Sequence, residues 1–187
     1  LPKKVLWGRC TTTVSPLQEG LTRLELDCAE LTVDSVEDGD ARRLPFDHDG
    51  TRLTVRFPRP LPKGRPVEVA VSYHGSPRAG LYFTAPSKEY PKKATQVWTQ
   101  GQDEDSRYWF PCFDYPNEKA TSETLVTVPE VWTVVANGAL LAVNHDKKLR
   151  MKTWHHRMDV PHVSYLISVA CGEFSKLEDT WRGKPGQ

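Results

Sequence analysis

An all-β fold of sandwich type is predicted by three features of the sequence. Apolar and polar residues alternate at period two in several stretches, turn residues punctuate those stretches, and no stretch carries a capped helical stripe. Proline occupies 15 of 187 positions, about 8% against a usual ~5%, which suits short strands joined by rigid turns and disfavours long helices.

In chain order, Leu21, Leu24 and Leu26 sit beside polar partners and predict the first strand. After an Asp49-Gly50 turn, Leu53, Val55 and Phe57 alternate with Thr54 and Arg56. Pro58 to Pro66, with Gly64 inside it, reads as a turn, and Val67, Val69, Val71 and Tyr73 then form the cleanest alternation in the chain. Asn137-Gly138, between Val131-Trp132-Thr133-Val134-Val135 and Ala139-Leu140-Leu141-Ala142-Val143, predicts a hairpin. Asn144-His145-Asp146-Lys147 reads as the next turn, leading into Leu149 to Trp154, and Val163 to Ala170 supplies a further β-rich run. No repeat, low-complexity tract or flexible linker divides the chain, so residues 1–187 read as one β domain.

Composition narrows the function. A chain of 187 residues buries about 70% of the surface that its unfolded form exposes, and 38% hydrophobic with 26% charged residues is globular, which excludes disorder along its whole length. Lys plus Arg number 25 against 24 Asp plus Glu; a net charge of +1 offers no general attraction to nucleic acid or to anionic lipid. No stretch approaches the ~20 apolar residues that cross a bilayer, so neither a nucleic-acid nor a membrane partner is expected. The Leu1-Pro2-Lys3-Lys4-Val5-Leu6-Trp7 start and the Gly183-Lys184-Pro185-Gly186-Gln187 end read as those of a piece cut from a longer protein. Cys10, Cys28, Cys112 and Cys171 form no Cys-x-x-Cys pair; they read as free packing thiols, with one disulfide left open by sequence. A reducing, cytoplasmic location is the corresponding expectation.

Several chemistries lack their residues. No histidine falls in a His-Glu-x-x-His pattern, which places two imidazoles and a carboxylate on one helical face. His155 and His156 are adjacent, so on a strand they point to opposite faces; they read as surface or edge residues. There is no Gly-x-Ser-x-Gly elbow and no phosphate-cradling glycine loop. No catalytic residue and no metal ligand set is assigned within the chain.

The densest unusual stretch runs from Gln96 to Ala120, strand-like at first and loop-like later. From the residue types alone, Gln100 and Gln102 share a solvated strand face, Asp103-Glu104-Asp105 is a solvated acidic turn, and Arg107 and Asp114 pair to pin the loop. Trp109, Phe110 and Phe113 are core or domain-contact residues, and Trp7, Trp98, Trp132, Trp154 and Trp181 are strand core and rim.

Thr99, Gln100, Gln102, Arg107, Phe110, Pro111, Cys112, Asp114, Pro116, Lys119 and Ala120 fall without a gap on one pattern. It resembles that of the amino-terminal domain of the aminopeptidase N and leukotriene hydrolase family of zinc metallopeptidases. Gly80-Leu81-Tyr82 and Ala136-Asn137-Gly138 resemble two further family motifs, and the likeness covers nearly the whole chain, more weakly before Gly80. Two positions depart from the common pattern: Gln102 stands where most aminopeptidases have Glu, and Tyr115 where Glu is common.

The resemblance implies a saddle-like domain of fused β-sandwiches beside a thermolysin-like catalytic domain that would begin just after Gln187. Zinc and its ligands would belong to that catalytic domain, leaving this chain without metal or catalysis of its own. The resemblance further implies that Gln100 and Gln102 line the substrate pocket and offer oxygens to the α-ammonium of peptide substrates. Two other readings stand beside it: a scaffold or binding domain of a non-enzymatic relative, and a carbohydrate-binding sandwich using exposed tryptophans.

Overall fold

Strand pairing arranges the period-two pattern into two layered halves. The computed structural model describes residues 4–180 and Gly183, so Trp181 and the extreme ends lie outside the described residues. In the first half β1 (Leu6–Val14), β6 (Val67–Gly75) and β3 (Thr32–Asp38) form an antiparallel sheet in the order β1-β6-β3. It faces a second sheet ordered β2 (Leu21–Asp27), β5 (Arg52–Leu61), β4 (Phe46–His48). Between them Val36, Leu53, Val55, Val69 and Val71 are buried with Cys28, Leu44, Phe57 and Tyr73. Each such side chain contributes about 1.5–3 kcal/mol on leaving water.

The second half repeats the two-layer plan. A four-stranded sheet runs β10 (Thr133–Ala136), β13 (Val169–Gly172), β8 (Gln96–Gln100), β7 (Gly80–Thr84). Its companion runs β11 (Ala139–Asp146), β12 (Met151–His162), β9 (Ala120–Pro129). Val128, Trp132, Val134, Val169 and Cys171 form the core between them, with Val97, Trp109, Val126, Ala136 and Trp154 packed against it. The all-β, fused-sandwich expectation therefore holds. Among the described residues the helical pieces are two 3-10 turns, Ser106–Tyr108 and Ser164–Leu166. All four cysteines are free.

Several local expectations fail for physical reasons. Strand β5 continues through Pro58 and Pro60 to Leu61. This is tolerated because β4 pairs only Leu53 to Val55 of β5, and the pairing with β2 is irregular between Leu21 and Arg23. The turn expected at Asn144 to Lys147 lies at 147–150 instead, because β11 stays paired to Asp146, opposite Met151. Val163 to Ala170 is mostly turn, with strand beginning only at Val169. Asn137-Gly138 joins strands of different sheets and makes no hairpin: β10 pairs β13 while β11 pairs β12. His155 and His156 do face opposite ways, but on the central strand of their sheet, where His156 is buried. Trp7 is 69% exposed, a rim residue, whereas Trp132 is core.

Candidate functional site

The Gln96 to Ala120 stretch forms the seam between the two halves. Strand β8 ends at Gln100, which pairs with Gly80 of β7 and is exposed. Gln102 lies beyond the strand, also exposed, at the head of a turn in which the Asp105 amide donates to the Gly101 carbonyl at 2.9 Å. The two glutamines therefore do not share a strand face. They are linked directly, because the Gln102 amide donates to Gln100 Oε1 at 3.1 Å. The peptide between Gln102 and Asp103 is cis.

Gly101, between the glutamines, is buried, and its lack of a side chain is required by close approach. A Cβ there would lie 2.7 Å from Ser106 Oγ and 2.8 Å from both Cα and the carbonyl oxygen of Tyr165. Hence the exposed glutamines flank a backbone position clamped from two sides.

After this turn the chain enters a buried polar network. Asp114 is 1% exposed. Its Oδ2 accepts from the Arg107 backbone amide at 3.1 Å and from Arg107 Nε at 3.2 Å, and its Oδ1 accepts from Ser164 Oγ at 2.8 Å. Asp27 of β2 joins through its Oδ2, which accepts from the Asp114 amide at 3.1 Å. Arg107 also reaches Glu104 at 2.7 Å and Asp27 at 3.7 Å. Burial works against the Arg107 charge, but these carboxylates outweigh it and leave its pKa raised. The expected Arg107–Asp114 pair is thus present, and Glu104 of the acidic turn is drawn into it. Its guanidinium also lies 5.7 Å from the Tyr115 ring centroid.

The aromatic residues fasten the seam to both cores. Trp109 packs against the second core and Phe110 against the first, and their rings meet edge to face at 4.5 Å. Pro111 and Cys112 are buried, and Cys112 bridges to Asp27 with backbone bonds of 2.7 and 3.0 Å. Burial pushes the Cys112 thiol well above its ordinary pKa, and the Asp114 charge adds to the effect. Such a thiol packs and does not attack. Phe113, 43% exposed, Pro116 and Lys119 stand at the surface on the way to β9.

Two partners of this network carry no signal in the sequence. Asp27 lies 87 residues from Asp114, and Ser164 lies 50 residues from it. Neither sits in a motif of its own.

The fold and this seam define a class. Residues 1–166 match the family described as the Peptidase M1 N-terminal domain, and the chain belongs to that family. It is 32% identical over 177 residues to aminopeptidase B of Rattus norvegicus, covering 87% of this chain and 26% of that protein. Over 107 residues it is 32% identical to transcription initiation factor TFIID subunit 2 of Gallus gallus, covering 56% of this chain and 9% of that one. Among solved structures it resembles a mutant M1 zinc metallopeptidase from Deinococcus radiodurans bound to a Tyr-Ser-Ala substrate. That match has a TM-score of 0.76 and 25% identity and covers 90% of this chain and 38% of the other. The chain thus spans well under half the length of each of these relatives.

Proposed function

We propose that this chain is the non-catalytic amino-terminal domain of a zinc-dependent aminopeptidase, in which Gln100 and Gln102 line the substrate pocket. The observation that carries this reading is where the glutamines emerge. Tyr82, Trp98, Ala170 and Val135 are register partners across all four strands of one sheet and so share one face. Tyr82 and Trp98 stack there at 4.6 Å, Trp98 is 36% exposed and Val135 57% exposed. Gln100 follows Trp98 by two positions and lies on the same face. An open apolar row ending in exposed amides fits a surface covered by a neighbouring domain with a polar pocket at its margin.

An aminopeptidase must recognise a free amino terminus. The Gln102 side-chain oxygen would accept a hydrogen bond from the peptide α-ammonium, while the Gln100 oxygen holds the Gln102 amide and so orients the turn. Being neutral, Gln102 pulls on the ammonium less than the commoner Glu would. Among the described residues no group of three or more His, Cys, Asp or Glu side chains could hold a metal. Zinc would be held by the thermolysin-like domain proposed to accompany this one. The free thiols support a reducing, cytoplasmic setting.

The test uses the full-length protein with paired reporters, one bearing a free α-amine and one N-acetylated. Release of the amino-terminal residue from the free form alone, lost on chelation and restored by zinc, is expected. The likeness to TFIID subunit 2 favours a second reading, a scaffold domain without a working zinc site, and full-length protein that cleaves neither reporter even with zinc added would select it.

A further inference from the structure

The Asn137-Gly138 link makes no hairpin, and the destination of the Asn137 side chain gives it another role. Asn137 Nδ2 donates to the Leu166 carbonyl at 2.9 Å, and its Oδ1 accepts from the Ser168 amide at 2.6 Å. One amide thereby satisfies two backbone groups of the 164–168 turn. Gly138 fixes the clamp from below: its φ is +81°, and a Cβ there would stand 1.9 Å from the Arg157 carbonyl oxygen.

The clamped turn in turn backs the glutamine pair. Tyr165 presses its backbone against Gly101. Ser164 donates to Asp114 at 2.8 Å, beneath Arg107. Val169, which follows the turn, donates its amide to Thr99 Oγ1 at 2.9 Å, one residue before Gln100. The turn and the residue after it therefore touch this segment at Thr99, just before Gln100, at Gly101, between the glutamines, and at Asp114, which holds Arg107.

We infer that Asn137 is a positioning residue for substrate recognition: it holds the 164–168 turn against Gly101 and so fixes where Gln100 and Gln102 point. This rests on the reading that Gln102 meets the substrate amine. Without Asn137 the Leu166 carbonyl and Ser168 amide need other partners, the turn loosens, and the glutamines sample orientations that miss the ammonium. Both ends of the Asn137 amide go to this turn, and it acts through the turn alone.

The experiment combines exchange and kinetics on full-length protein. In Asn137→Ala both hydrogen bonds to the turn are lost, so the Gln102 and Asp105 amides should exchange hydrogen faster by at least about fivefold, as expected for local loosening by loss of two neutral hydrogen bonds. kcat/KM for a free-amino peptide should fall by a similar factor. Asn137→Asp keeps the acceptor for the Ser168 amide, so it should recover part of both effects, and it remains informative if the alanine variant does not fold. The double variant with Gln102→Ala should be no worse than Gln102→Ala alone, because the anchor that Asn137 positions is already absent. Unchanged exchange at Gln102 and Asp105, or full additivity of the two losses, overturns the proposal. If Gln102→Ala itself leaves kcat/KM unchanged, the amine-anchor reading has failed, and the exchange measurement still decides whether Asn137 holds the segment.

Discussion

Replacing Asp114 tests whether the seam is held by its buried network. Asp114→Ala removes the acceptor for the Arg107 amide, Arg107 Nε and Ser164 Oγ, all within 3.2 Å. Breaking a buried pair costs roughly 3–5 kcal/mol because the surviving charge is left uncompensated. Arg107 keeps Glu104 at 2.7 Å and Asp27 at 3.7 Å, so the low end applies, about 3 kcal/mol. For a chain of this length that corresponds to a fall in Tm of roughly 6–12 °C. The assay is thermal and urea unfolding of wild type and variant, with Asp47→Ala as comparison. Asp47 pairs with Arg56 at 2.8 Å on the surface, where such pairs are worth about 0–1 kcal/mol. Equal losses for Asp114→Ala and Asp47→Ala would refute the claim that burial and shared hydrogen bonds make the Arg107–Asp114 network structural.

Three further outcomes are expected. Gly138→Ala should destabilise by about 3 kcal/mol or more, adding a clash on Arg157 to a strained backbone, whereas Gly64→Ala, also at positive φ but with nothing within 4 Å, should cost only the backbone strain of about 1–2 kcal/mol; equal unfolding midpoints would contradict this. Burial, then the neighbouring His155, lowers the His156 pKa. The unfolded chain therefore binds this proton more readily, and stability present above about pH 6.5 is lost as pH falls below it. His156→Phe should flatten that slope in unfolding measured from pH 7 to 5, and an unchanged slope would assign it to other groups. Cys112 should resist alkylation at neutral pH until the protein unfolds; rapid modification of the folded protein, read by mass spectrometry, would contradict its packing role.

Where one buried face decides a strand, the fold is readable from sequence. Leu53, Val55 and Phe57, and Val69, Val71 and Tyr73, alternate because one side of each strand meets the first core. β1 escapes the same reading because Trp7 points outward at 69% exposure while Gly8, Cys10 and Thr12 occupy alternate inner positions. Asn137-Gly138 shows the limit of local signals. The dipeptide specifies a sharp turn, but whether the flanking strands pair depends on distant partners, here β13 for β10 and β12 for β11. In the site, the Arg107–Asp114 pair is legible because both residues lie in one continuous motif. Asp27 and Ser164 are not, since only the folded chain brings them to Asp114.

The central claim, that Gln102 reads the peptide amino terminus, is tested most directly by kcat/KM of full-length Gln102→Ala on a free-amino peptide and its N-acetylated counterpart. A hydrogen bond to a charged group is worth about 1.5–3 kcal/mol, so the free-amino substrate should lose roughly one to two orders of magnitude. Zinc content should stay constant, any residual cleavage of the acetylated peptide should not change, and Gln102→Glu should raise efficiency on the free amine by adding a charge beside the ammonium. Equal losses on both substrates would contradict the account and make Gln102 a residue that shapes the seam without reading the amine.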